Sequence, residues 1–433
     1  MVPTLLVTLL LAVAAGTAPD RVDVTMLTGT YRWEEGGFVD LFTWSELGPG
    51  RLVAFDDQGG VRALTPEGPR LFSAGPAVAV PSPVAAHIRF DPAEGEPRVQ
   101  ALVWEAEGRP PRRARRVEDH RAEEVAFANG AVRLAGTLLL PLAPGPHPAL
   151  VLVHGSNAQD RNGTLPFARF LVRHGVAILA YDKRGVGASE GDWRTAPFEA
   201  LADDALAGVA MLRGRRDIDA KRIGILGVSQ GGWIGPLAAS RSRHVTLVVS
   251  VSGPGVTPAQ QTLDLTEAEL RLSGADDAEV QEAIGLMNLG FRYGRTGDGW
   301  DAYKAALSAS GERPWLPYLS LPTDPHDQGW EQQRLFWHYD PRPALRSLRC
   351  PVLAIFGGMD LGVPAAKNLA LWKESTARRG HRANRLVVLP AADHVMFAAK
   401  TGSLFEIAEL DGFVPNYRPT LLSWVRERFR LRP

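Results

Sequence analysis

The stretch RIGILGVSQGGW, Arg222 to Trp233, decides how the chain is read. Its first part, Ile223–Leu226, is a short apolar run of strand type, and the pattern turns helical from Trp233. Between them, Gly227-Val228-Ser229-Gln230-Gly231 fits a strand–turn–helix elbow that leaves a serine hydroxyl exposed on a sharp turn. Gly227 and Gly231 leave room for that turn, and Gly232 lets the helix pack closely. Five residues are weak evidence alone, because glycine and serine are common in ordinary turns. The rest of the chain has to supply a base, an acid, oxyanion donors and a sheet in the right order.

Working outward, apolar runs alternate with helical patterns. VAFANGAVRLAGTLLLP, from Val125, reads as a hairpin turning at Asn129-Gly130. Ala149–Val153 has no polar face, as expected of a strand covered on both sides. Helix is expected at Pro166–His174, strand at Val176–Tyr181, and helix at Phe198–Arg213, whose Leu201, Ala205, Val209 and Leu212 share a face. Trp233–Ser242 reads as helix and Val245–Val251 as strand. After an insertion over residues 258–344 the alternation resumes. It runs through strand Val352–Phe356, helix Ala365–Ser375, strand Leu386–Leu389 and helix Thr420–Phe429. Such alternation implies a mostly parallel sheet with helices on both faces. The insertion is helical in pattern and carries ten aromatics between Phe291 and Tyr339. Most of these are expected to form its core, and a few to face the site as an apolar lid.

In such a sheet ligands bind beyond the carboxyl ends of the strands. Ser229 lies there, as do Asp360, after Val352–Phe356, and His394, after Leu386–Leu389. Ser156, in the His154-Gly155-Ser156 segment after Ala149–Val153, stands in the position of an oxyanion loop. The order serine, aspartate, histidine is that of a nucleophile-elbow hydrolase. His394 is then the base that takes the serine proton, and Asp360 orients it. The backbone N–H groups of Gln230 and Ser156 are the expected oxyanion donors. Asp393 adjoins His394 but, as a sequence neighbour, points elsewhere and reads as a loop-structuring residue. His154 reads as structural, and Asp182 and Arg184 as a pair bracing their loop.

From about Glu123 onward the chain resembles the α/β-hydrolase superfamily. VLVHGSNAQDRNG, YDKRGVGASEGDW and GVSQGGW are similar to a bacterial serine esterase subfamily with a helical cap. Asn157-Ala158 departs from the Gly-Pro expected after His-Gly-Ser, which bears on the shape of the oxyanion loop. The resemblance implies a carboxylic ester hydrolase acting through an acyl-serine, on a small substrate with an apolar acyl or aromatic group. Thioester and amide cleavage use the same residues, so a thioesterase or an acyl-aminoacyl peptidase is the alternative. An acidic group near the pocket, fit for a peptide amine, would favour the peptidase. A rival of another class is an inert hydrolase-fold binding protein, against which the intact serine, aspartate and histidine argue.

Residues 19–118 have a different character. Short runs such as Phe38–Trp44, Arg51–Phe55, Val61–Leu64 and Val99–Trp104 are punctuated by turn residues, as in a small antiparallel barrel or sandwich. They loosely resemble the lipocalin-like β-modules of some bacterial serine hydrolases. All the chemistry-bearing residues lie in 119–433, so this module is expected to serve access or stability. RPPRRARRVEDH, Arg109–His120, reads as a solvated connector between the two parts. Residues 1–18, with an apolar Leu5–Val13 run and a small-residue tail, read as a signal peptide, with a secreted or periplasmic destination. No later run is long enough to span a bilayer.

Composition agrees with these expectations. The 433 residues are 45% hydrophobic and 22% charged, enough for two cores. Forty-eight basic and forty-eight acidic residues cancel, leaving no net field for nucleic acid. Cys350 is the only cysteine, which excludes an intrachain disulfide and a Cys₂ or Cys₄ zinc site. GVGASE at Gly185 has Glu190 where a dinucleotide fingerprint needs its third glycine, and there is no P-loop or His-Glu-x-x-His helix. No cofactor and no metal is implied. Oligomeric state is not legible.

Overall fold

The computed structural model describes residues 23–48, 50–92, 99–319, 321–377 and 383–431. The expected signal peptide and His381 lie outside the described residues. Among the described residues no helix is long and apolar enough to cross a membrane.

The N-terminal part is one antiparallel sheet of nine strands. In chain order these are β1 (Gly29–Trp33), β2 (Phe38–Thr43), β3 (Leu52–Asp56), β4 (Val61–Ala63) and β5 (Thr65–Pro66). They continue with β6 (Leu71–Ala74), β7 (Ala86–Pro92), β8 (Val99–Ala106) and β9 (Arg112–Val117). The spatial order is β4-β3-β2-β1-β9-β8-β7-β6-β5. The edge strands β4 and β5 are separated in sequence only by Leu64, so the sheet curls back on itself like a barrel. Tyr31, Leu41, Ile88, Phe90 and Leu102 fill its interior.

The basic stretch expected to be a connector is instead β9, paired with both β1 and β8. Alternation explains it. Ala114 is buried in the barrel, and on the same face Arg112 and Arg116 lie over the Trp33 and Tyr31 rings, 4.0 and 4.9 Å from their centroids. On the other face Arg113 pairs with Asp91 at 2.7 Å. A row of arginines can thus be a strand when acceptors and aromatic faces receive it on both sides.

The second sheet has eight strands. They are β10 (His120–Asn129), β11 (Val132–Pro141), β12 (His147–Val153), β13 (Ala177–Tyr181), β14 (Ile218–Val228), β15 (Val248–Val251), β16 (Val352–Gly357) and β17 (Arg385–Leu389). Their order is β10-β11-β13-β12-β14-β15-β16-β17; β10 and β11 are antiparallel and the rest run parallel from β13 onward. Every residue of β12, β13, β15 and β16 is buried, in line with their largely apolar sequences. The β10–β11 turn is displaced one residue from its expected place. Asn129 pairs with Val132, so the turn residues are Gly130, at φ +58°, and Ala131. Asn129 stays in the ladder, its side chain donating to Asp204 at 2.8 Å.

Helices Phe198–Arg213, Gly231–Arg241, Ala365–Thr376 and Tyr417–Phe429 cover this sheet. Between β15 and β16 are inserted the helices Pro258–Leu272, Asp277–Thr296, Trp300–Ser310, Gln328–Phe336 and Arg342–Ser347. Tyr303, Trp315 and Trp330 form the insertion's own core, whereas Phe291, Phe336 and Trp337 join the core of the main sheet.

The two sheets are packed together. Phe42, Trp44, Val53 and Phe55, on the outer face of the barrel and the turn after β2, share one apolar cluster with Phe167, Phe397, Phe413 and Tyr417. Beside it, buried Asp40 of β2 bonds both Arg169 and Arg173, and Arg173 also bonds Asp119 at 2.8 Å. Burial would raise the Asp40 carboxyl pKa, but the two guanidiniums hold it well below the usual carboxylate range.

Candidate active site

Four strand ends converge. Ser229 immediately follows β14 with φ at +53°, a conformation that non-glycine residues rarely adopt. The turn is tight because a Cβ at Gly227 would sit 2.0 Å from the Gly231 carbonyl oxygen, and one at Gly231 would sit 2.4 Å from that of Val153. Only glycine fits at both places.

Ser229 Oγ lies 2.9 Å from His394 Nε2, and His394 Nδ1 lies 2.8 Å from Asp360 Oδ2. The other Asp360 oxygen accepts the N–H groups of Gly362 and Val363, each at 2.8 Å. Its side chain is fully buried. Burial pushes the His394 pKa down, but the charge and hydrogen bond of Asp360 outweigh it, and the net shift is upward. The Ser252 hydroxyl donates to the His394 carbonyl at 2.7 Å and anchors the loop from behind.

Asp393 has the structural place expected of it. Its Oδ1 accepts from the Val395 and Phe397 N–H groups, at 2.9 and 2.8 Å. Burial pushes its carboxyl up to about 7 against the Phe397 bond. His154 bonds the Tyr181 carbonyl through Nε2, and burial pushes its pKa down to about 3, so it is a neutral structural imidazole. Asp182 and Arg184 both brace their loop but do not pair with each other. Asp182 takes Arg161 at 2.8 Å, and Arg184 takes Asp204 at 2.6 Å.

The two expected oxyanion donors are available. Among the described residues, neither the Ser156 N–H nor the Gln230 N–H meets a protein acceptor. Gln230 stands at the N-terminus of helix Gly231–Arg241, where the helix dipole favours negative charge. The Gly155 N–H is already taken by Gln159 Oε1 at 2.6 Å.

Ser229, His394 and Ser156 open into a cavity of about 190 Å³, walled on its apolar side by Leu265, Leu404 and Ile407. One expectation needs correction here. None of the ten insertion aromatics lines the cavity; the first inserted helix contributes Gln261, Thr262 and Leu265 instead. The rings are used up in packing the insertion to itself and to the sheet. The β-module reaches the site, since Trp44, Glu46 and Leu47 line the same cavity. No local pattern around Trp44 announces this, since the contact spans more than a hundred residues of sequence.

The chain matches the description X-Pro dipeptidyl-peptidase (S15 family) over residues 129–396, more than half its length. The chain belongs to the S15 family. The match ends two residues beyond His394, so it includes Ser229, Asp360 and His394 and leaves the β-module outside. This S15 chain is also similar to the esterase EstD of Thermotoga maritima, at 24% identity over 62% of the chain and 59% of that protein. It is 35% identical to the thiohydrolase aneE of Aspergillus aculeatus over 31% of the chain and 42% of that protein. The S15 chain therefore spans less than two thirds of the length of either relative. Among solved structures, the α/β hydrolase GrgF from Penicillium sp. sh18 covers 72% of the chain and is itself covered to 99%, at 18% identity and a TM-score of 0.46.

Proposed function

We propose that this chain is a serine hydrolase that cleaves carboxylic esters through an acyl-serine intermediate. The unbroken contact from Ser229 through His394 to a fully hydrogen-bonded Asp360 carries the reading. The Ser229 hydroxyl gives its proton to His394 Nε2 as its oxygen attacks the ester carbonyl. Asp360 holds the Nδ1 proton and stabilises the imidazolium. The Ser156 and Gln230 N–H groups take the negative oxygen of the tetrahedral intermediate. As that intermediate collapses, the alcohol leaves with the proton from Nε2. Water then attacks the acyl-serine by the same path and frees the acid. No step requires a cofactor.

A site of 190 Å³ is small beside the ~300–1,000 Å³ of pockets for drug-sized ligands. It suits a short apolar acyl group, and p-nitrophenyl butyrate is expected to turn over faster than the dodecanoate. The thiohydrolase relative keeps a thioester within the same reading. One observation favours a second reading, release of an N-terminal X-Pro dipeptide: Glu46 puts a carboxyl on the cavity wall, where a peptide amine would meet it.

The test is a fluorophosphonate probe followed by a panel of p-nitrophenyl esters, an acyl thioester and alanyl-proline p-nitroanilide. Labelling at Ser229 with the ester preferred is the expected result. Preference for the anilide would transfer the reading to the peptidase, and a folded protein that does not label would sink both.

The pH profile has a definite sign. The base must be neutral, and the Asp360 charge raises its pKa, so kcat/KM for an uncharged ester is expected to rise through a midpoint above the usual imidazole value of about 6.5. A midpoint well below that value would show that Asp360 does not stabilise the imidazolium.

A further inference from the structure

Lys183 is a lysine with 2% of its surface exposed, and no proposed step uses it. Its Nζ donates to the carbonyls of Gly155 and Asn157, at 2.8 and 3.1 Å, and to Gln230 Oε1 at 3.0 Å. The face of Trp193 closes the remaining side, 4.6 Å from Nζ. All three acceptors thus belong to the two segments that carry the proposed oxyanion donors.

In a trans peptide the carbonyl and the next N–H are fixed in one plane and point in opposite directions. Holding the Gly155 carbonyl on Lys183 therefore turns the Ser156 N–H the other way, toward the cavity. Gly155 has no Cβ to oppose a flip of that peptide, so the orientation depends on its partners. A flipped peptide would present a carbonyl oxygen to the forming oxyanion and remove one donor.

A second tie comes from the β-module. Gln159 accepts the Gly155 N–H through Oε1, and its Nε2 donates to Glu46 Oε1 at 2.6 Å. Glu46 Oε1 accepts from Gln159 Nε2, which leaves Gln159 Oε1 facing the Gly155 N–H. Three more bonds fix the same loop to the module: Trp44 Nε1 to the Gly163 carbonyl, Ser45 Oγ to Asp160, and Asn162 Nδ2 to Thr43 Oγ1, each at 3.1 Å.

We infer that Lys183, with Glu46 acting through Gln159, is a positioning residue that sets the Gly155–Ser156 peptide in the orientation that stabilises the oxyanion. The inference rests on the acyl-serine reading. Its test is Lys183→Met, which keeps an unbranched stem and deletes the donors. The kcat for p-nitrophenyl acetate is expected to fall by about 10²-fold, the scale of losing one oxyanion donor. KM should stay within about threefold, because the N–H acts on the transition state more than on bound ester.

The second readout is inhibition by phenylboronic acid, whose boron takes Ser229 Oγ and becomes a tetrahedral anion. Its Ki should rise in step with the loss of kcat/KM, which general loosening of the fold would not produce. Glu46→Gln should show the same pairing at about 10-fold, because an amide no longer enforces the Gln159 orientation. Fluorophosphonate labelling of the wild type at Ser229 tests the underlying reading separately. A folded Lys183→Met variant with wild-type kcat and boronate affinity would overturn the inference. If that variant does not fold, an unchanged Glu46→Gln enzyme overturns it instead.

Discussion

Ser229→Ala is expected to lower turnover of p-nitrophenyl acetate by roughly 10⁴-fold or more, the scale of removing a member of a serine triad. The substitution deletes one oxygen and keeps the Cβ, so the positive φ at this position becomes no more strained than it already is. The Gly227–Gly231 contact, both oxyanion donors and the His394–Asp360 bond are untouched. Melting should accordingly stay within about 3 °C of wild type. The measurement is turnover beside a thermal melt. Near-wild-type turnover from a protein with an unchanged melt would remove the acyl-serine reading altogether.

Asp360→Asn is expected to be nearly as damaging, again by about 10⁴-fold in kcat. Asp360 accepts on three sides: the Gly362 and Val363 N–H groups at one oxygen and His394 Nδ1 at the other. An asparagine has one oxygen, which the two backbone donors would claim, leaving its NH₂ against Nδ1. The imidazole must then carry its proton on Nε2, the nitrogen that has to receive the serine proton. Asp393→Asn is the control. Its Oδ1 accepts the Val395 and Phe397 N–H groups, a task an amide oxygen performs equally well, so activity should fall by no more than about 10-fold. If the two variants rank the other way in kcat, Asp393 is the acid.

The catalytic sheet was legible because parallel strands are buried on both faces and write themselves as unbroken apolar runs. Helix Phe198–Arg213 falls on its expected residues for a related reason, since its apolar stripe meets the sheet directly. Ser229, Asp360 and His394 were legible because each stands at the end of such a run, and the structure brings all three within hydrogen-bonding distance. The misreadings occur where a long-range partner overrides local pattern. Arg112–Val117 is a strand only because Trp33, Tyr31 and Asp91 receive its arginines. The aromatics of the insertion have no signal separating rings that pack from rings that would face a substrate. Glu46 and Gln159 are 113 residues apart, and neither sits in a motif. Lys183 lies in the YDKRGVG stretch between Asp182 and Arg184, and nothing local marks its acceptors at Gly155, Asn157 and Gln230, which are distant in sequence.

The outer face of β2, β3 and β4 has a consequence for how this protein can be dissected. Phe42, Val53, Phe55 and Val61 are buried against the catalytic sheet, and Asp40 beside them neutralises Arg169 and Arg173. A catalytic part expressed from residue 119 onward would therefore present Phe167, Phe413 and Tyr417 to water as one contiguous greasy patch, with Arg169 stripped of its Asp40 counter-charge and Arg173 left with Asp119 alone. The isolated barrel would carry the matching patch. Each half would be sticky in its own right, prone to self-association before its chemistry could be assayed. Exchanging barrels between relatives would succeed only where both faces of the seam are carried across together.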